Sequence, residues 1–156
     1  TDFKNDIFIH KLMANEEFRE KFVSAFLDIA NNNLSKENVR NKVLEEYNIS
    51  SGKLTTFFGN RFTYIKDHLA RYLKVDNEVA NVVIETDKEV KFNTIMINSN
   101  YNYNGYYLKA FPITLYNVDI DSCELTDLEV IKSSSGVIKL KITGDSPKIV
   151  INDWAC

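Results

Sequence analysis

The hydrophobic period of this chain changes once, near residue 75, and no all-α or all-β fold accommodates both halves. Through residues 1–74 apolar residues recur at every third or fourth position, the spacing that gathers them on one face of an α-helix. From Val75 onward they come as short β-branched runs separated by turn residues, which is the pattern of strands. The 156 residues therefore read as α+β: an N-terminal helical bundle over 1–75, followed by a small antiparallel β-sandwich-like domain over 76–156. Asp76-Asn77-Glu78 is the expected hinge. Each half is marginal as a lone core, and the hinge is short, so a packed arrangement is expected in which the strands lean on the helices.

Within the helical half, Ile7–Met13 forms a short first helix. Asn15 before Glu16 and Glu17 marks an N-cap with acidic residues in the first turn. Phe18, Phe22, Phe26 and Ile29 then share one face, with Val23, Ala25 and Leu27 widening the stripe, which the periodicity assigns to the core, and Asn31-Asn32-Asn33 ends the pattern. Ser35 opens a helix with Val39, Val43 and Leu44 as its apolar positions. Ile49-Ser50-Ser51-Gly52 is a break. Leu54 to Leu73 is again helical, with Gly59 dividing it in two.

In the second half, Val82–Ile84, Ile95–Ile97, Ile113–Tyr116, Leu128–Ile131, Val137–Ile142 and Ile149–Ile151 read as strands, six or seven in all. Ile138, Leu140 and Ile142 alternate with two lysines, so one face is apolar. Asn104-Gly105 is the dipeptide of a tight hairpin turn.

Charge and composition exclude some partners. Nineteen Lys and Arg against 22 Asp and Glu leave a net charge of −3, so no strong positive charge draws the chain to nucleic acid. No run of about 18 apolar residues spans a membrane. The two cysteines, Cys123 and Cys156, are too few for a disulfide scaffold, and with only His10 and His68 beside them no zinc motif assembles. Asparagine occurs 18 times and Lys outnumbers Arg by 15 to 4, a bias expected of AT-rich codons. The chain opens on Thr1 with no charged-then-apolar leader, which reads as a processed or cut product.

Three motifs in the first half carry a family resemblance. Leu12-Met13-Ala14-Asn15-Glu16-Glu17-Phe18-Arg19-Glu20-Lys21-Phe22 is the first, Asn32-Asn33-Leu34-Ser35-Lys36-Glu37-Asn38-Val39 the second, and Phe57-Phe58-Gly59-Asn60-Arg61-Phe62-Thr63-Tyr64-Ile65 the third. In order and spacing they resemble the C-terminal helical end of the spore-coat protein H (CotH) kinase-like family, over residues 7–73. Gly105-Tyr106-Tyr107 leading to Pro112-Ile113-Thr114-Leu115, with Asp153-Trp154 near the end, is similar to the small β domain that follows in family members. The family's longer connection, with a His and an Arg-Trp between the second and third motifs, is missing: Tyr47 to Thr56 is short. The resemblance marks Asn15, Phe18, Arg19, Phe22, Phe58, Arg61 and Tyr64 as structural motif positions. It implies ATP and Mg²⁺ only for a kinase-like domain upstream of these motifs. It also implies protein partners in a spore coat or another extracytoplasmic assembly of a bacterium.

No catalytic, cofactor or metal residue is assigned to this chain. Phosphoryl transfer needs a phosphate-cradling loop and metal-holding carboxylates, and Gly52, Gly59, Gly105, Gly136 and Gly144 are spaced too widely for such a loop. Asp119-Ile120-Asp121-Ser122, followed by Glu124 and Asp127, reads as a solvated loop rather than a cation site. His68 reads as a helix-surface residue, and Arg61 as an ion-pair partner of Asp67 or Glu45. Trp154 reads as an anchor of the last strand or as an edge aromatic at a truncated end. The expected function is thus structural, through protein contacts. The alternative is a carbohydrate- or cell-wall-binding β module that uses Tyr101, Tyr103, Tyr106 and Tyr107, whose rings could stack on sugars while neighbouring asparagines bond hydroxyls. The opposing reading of these tyrosines is a hairpin with buried ring bodies and wet hydroxyls.

Overall fold

Short polar side chains start and stop the helices. The computed structural model describes residues 6–34, 37–48 and 52–152. The expected break at 49–51, Ser35, Asp153-Trp154 and Cys156 lie outside these residues, as do the side chains of Val39, Val43, Leu54 and Tyr101. Asp6 caps α1 (Ile7–Ala14), its carboxylate accepting from the N–H groups of Phe8 and Ile9 at 2.9 and 3.1 Å. Asn15 caps α2 (Glu16–Ile29), accepting from the Phe18 N–H at 2.9 Å. The triple asparagine widens the end of α2 into a π-helical turn over Ala30–Leu34. There the side-chain amides of Asn31 and Asn32 donate to the carbonyls of Leu27 and Asp28 at 2.8 and 2.9 Å. Helices α3 (Glu37–Glu46), α4 (Gly52–Gly59) and α5 (Arg61–Leu73) follow. Lys74 ends α5 in the left-handed region at φ 57°, and the Val75 N–H reaches back to the Ala70 carbonyl at 3.0 Å, the hydrogen bond of a Schellman cap.

Among the described residues nine strands form two sheets: β1 (Val79–Thr86), β2 (Val90–Phe92), β3 (Ile95–Ile97), β4 (Tyr101–Leu108), β5 (Ile113–Tyr116), β6 (Cys123–Thr126), β7 (Leu128–Ser134), β8 (Val137–Ile142) and β9 (Lys148–Ile151). One sheet has the order β4-β1-β9-β6 and the other β3-β2-β5-β8-β7. All pairings are antiparallel except that of β1 with β9, which run parallel. The chain is α+β, with its helices first and a β-sandwich-like region after them.

The strands β2, β4 and β6 go beyond the six runs read from sequence. Asn104-Gly105 does not turn: both residues lie within β4, opposite Val83 and Val82 of β1. Gly105 is needed there for another reason. A Cβ on it would stand 2.8 Å from the Tyr103 hydroxyl, 3.0 Å from the Tyr107 ring and 3.2 Å from the Asn31 side chain. A glycine within a strand marks just such a close approach.

The two sheets bury Val82, Ile84, Ile149 and Ile151 against Phe92, Leu115, Ile138 and Leu140. Ile138, Leu140 and Ile142 point inward, as their alternation requires. Val23, Leu27 and Leu69 of the helices belong to the same core cluster, so the strands do lean on the helices. Lys109 fastens the join, its ammonium reaching Glu78 before β1 at 2.8 Å and Asp145 before β9 at 2.6 Å. Asp145 and then Glu78 hold that ammonium above the ordinary lysine range.

Candidate interaction surface

The apolar stripe of α2 is broad, and the sandwich takes its Val23 and Leu27 side. Val23 and Leu27 are each 1% exposed. Phe18, Phe26 and Ile29 of the aromatic stripe are 36%, 41% and 48% exposed, and Phe22 is half-buried. Phe18, Phe26 and Ile29 thus lie outside the core, which corrects their assignment as core, while Phe22 packs against it and Val23 and Leu27 belong to it. The rings stack along the helix, Phe18 on Phe22 at 6.2 Å and Phe22 on Phe26 at 4.7 Å between centroids.

Hydrogen bonds to distant strands set the rotation of α2. Asp28 is buried, and one of its oxygens accepts from both the N–H and the hydroxyl of Thr94. The other accepts from the Tyr107 hydroxyl at 2.7 Å. Tyr103 bonds that hydroxyl at 2.7 Å and itself accepts from Asn32 at 3.2 Å. One turn along, the Asn31 amide grips the backbone of Tyr106, accepting from its N–H and donating to its carbonyl, both at 2.9 Å. These bonds can form only if Val23 and Leu27 face the sheets, so Phe18, Phe26 and Ile29 must face away. Burial raises the Asp28 pKa above the ordinary carboxylate range, while the hydrogen bonds from Thr94 and Tyr107 work against it. Burial, and then the Asp28 charge, push the Tyr107 phenol up.

The exposed stripe opens onto a groove between α1, α2 and α5, with a volume of about 680 Å³. Its floor and walls are Phe22, Phe26, Tyr64, Ile65, Leu69 and Tyr72. His10, His68, Arg71 and Lys74 also line it. His68 is a surface residue as expected, its ring 4.1 Å from that of Tyr64, but it borders a cleft that sequence reading did not find. Arg61 lies with its guanidinium 4.5 Å from the Phe57 ring centre and 4.0 Å from that of Tyr64, the stacking geometry of a cation on aromatic faces. Asp67, one of its expected partners, instead meets Lys66 and Asn77. Phe58 packs edge-on to Phe57 at 5.5 Å, and Arg19 donates to the Met13 carbonyl at 3.4 Å.

The tyrosines of β4 divide by face. Tyr103 and Tyr107 are buried at 4% and 2% exposure, with bonded rather than wet hydroxyls, and offer no outer surface for a sugar. Tyr106 is 49% exposed and packs 5.9 Å from Phe62 of α5. The Tyr101 side chain lies outside the described residues.

A second, polar cleft of about 520 Å³ lies between the N-terminal half of α2 and strands β5, β7 and β8. Two of its carboxylates are engaged by lysines: Glu20 pairs with Lys139, and Glu17 with Lys21 at 3.0 Å. Lys21 holds the Glu17 carboxyl below its usual range. Asp119 caps a 3₁₀ turn over Ile120–Ser122, accepting from the Asp121 N–H at 3.1 Å. Among the described residues no three His, Cys, Asp or Glu side chains converge as a metal site would require, and no helix is long and apolar enough to cross a membrane. Cys123 is a free thiol whose pKa burial pushes up, so little of it is the reactive thiolate.

Two functional positions escape sequence reading. Asp28 and Asn31 look like ordinary helix-end polar residues, and only their partners on β4 and after β2 reveal their role. The signal available was an Asp between Leu27 and Ile29, a charge inside an apolar run. The chain matches no family model, no curated protein and no solved structure.

Proposed function

We propose that this chain is a non-catalytic protein-interaction unit in which the sandwich holds a helical docking face outward. The setting is that of the CotH-like proteins its helical motifs resemble: the C-terminal part of such a protein, working in a spore coat or another extracytoplasmic assembly. One observation carries the reading. The Phe18, Phe26 and Ile29 face of α2 is left uncovered and runs into Tyr64 of α5, while Val23, Leu27 and Asp28 of the same helix are buried. Contiguous exposed apolar surface of this kind, bordered by polar residues, marks contact with another macromolecule.

Two experiments test the proposal. Calorimetric titration with Mg-ATP is expected to show no binding, and micromolar affinity would overturn the non-catalytic reading. A photo-reactive benzoylphenylalanine in place of Phe26, in cells that express the protein naturally, is expected to give protein adducts. The same probe in place of Glu129 on the exposed face of β7 is expected to give none. No adduct at 26, or equal adducts at both positions, would remove the helical face as the interaction surface.

A further inference from the structure

We propose that the groove between α1, α2 and α5 receives an amphipathic helix whose apolar stripe is flanked by acidic residues; this rests on the helical face being an interaction surface. Phe22 and Phe26 stand one turn apart on α2, and Ile65, Leu69 and Tyr72 are spaced by four and three along α5. Both walls therefore present side-chain ridges at the spacing against which the ridges of a third helix pack.

Charge selects the kind of helix. His10, His68, Arg71 and Lys74 line the groove, all four are exposed, and among the described residues no carboxylate lines it. With histidines counted neutral the whole chain carries −3, so the positive rim made by Arg71 and Lys74 runs against the charge of the molecule around it. A helix with Glu or Asp beside its apolar stripe sets carboxylates against that rim, and a basic helix is repelled. A bilayer surface is a poorer match, because the apolar residues line a concave slot, which a flat interface does not fill.

Fluorescence anisotropy tests this with a designed, labelled helical peptide that carries Leu at helical spacing and Glu on both flanks. The comparison is the same peptide with Lys in place of every Glu. The acidic peptide is expected to bind about tenfold tighter or more at low salt. Arg71→Glu with Lys74→Glu, both at exposed positions that leave the fold intact, is expected to reverse the preference. Phe26→Ala is expected to weaken the acidic peptide about tenfold, while Lys132→Glu, outside the groove, leaves it unchanged. Equal affinity for the two peptides, or no binding of the acidic one, overturns the proposal. So does binding of phosphatidylserine vesicles without binding of the peptide. An adduct from position 26 without peptide binding removes the acidic helix and leaves the interaction reading standing; the absence of both removes both.

Discussion

Asparagine sets much of the local geometry. Asn48, Asn93, Asn100 and Asn117 are four of the seven non-glycine residues with positive φ among the described residues, a conformation that asparagine tolerates better than most side chains. Asn15 caps α2, and Asn31 and Asn32 close its end. These seven of the 18 asparagines thus have structural uses that codon bias does not describe. Asp28 is the residue on which the pH dependence turns. Because burial raises its pKa, the folded protein binds the proton more tightly than the unfolded chain. Its contribution to stability is therefore greatest below the ordinary carboxylate pKa of about 4, and falls as pH rises through the raised value. Asp28→Asn removes this titration. Urea unfolding is expected to show wild-type stability falling relative to Asp28→Asn as pH rises above about 4, and a rise would contradict the account. Asp28→Leu, which strands the Thr94 N–H and the Tyr107 hydroxyl, is expected to cost about 2–5 kcal/mol. The cap at Asn15 was legible in the sequence because its partner is three residues away. Asp28 was not, because its partners lie 66 and 79 residues away.

Among the elements, β4 carries the greatest burden. It is an edge strand of its sheet, and an open edge invites unwanted pairing. The Asn31 amide covers part of it by standing in for one rung of a neighbouring strand. Asn31→Ala is expected to cost about 1–3 kcal/mol in urea unfolding, two hydrogen bonds at typical net worth, and to speed amide exchange at Tyr106. An unchanged Tyr106 amide would show that something else covers the edge. The change of period made helices and strands distinguishable from sequence, and the inward alternation of β8 followed directly. The turn at Asn104-Gly105 was misread because the same glycine serves a tight turn or a close approach, and the choice depends on Tyr103, Tyr107 and Asn31. Phe18, Phe26 and Ile29 of α2 were misassigned for a similar reason. The aromatic stripe is the more hydrophobic face, but hydrogen bonds to β4 and Thr94 decide which face meets the sandwich.

At the scale of the whole molecule, the helices and sandwich share one core, and the sandwich fixes which helical surface is left outside. That placement is the central claim, since both the docking face and its acidic partner depend on it. Thiol labelling tests it directly. In a Cys123→Ser, Cys156→Ser background, a single cysteine is placed at Phe26 or at Val23, an exposed and a buried residue of α2. The cysteine at 26 is expected to react in the native protein almost as fast as in the unfolded chain. The cysteine at 23 should react only through opening of the core, roughly a thousandfold slower or more. Equal protection at the two positions, or faster labelling at 23, would contradict the account.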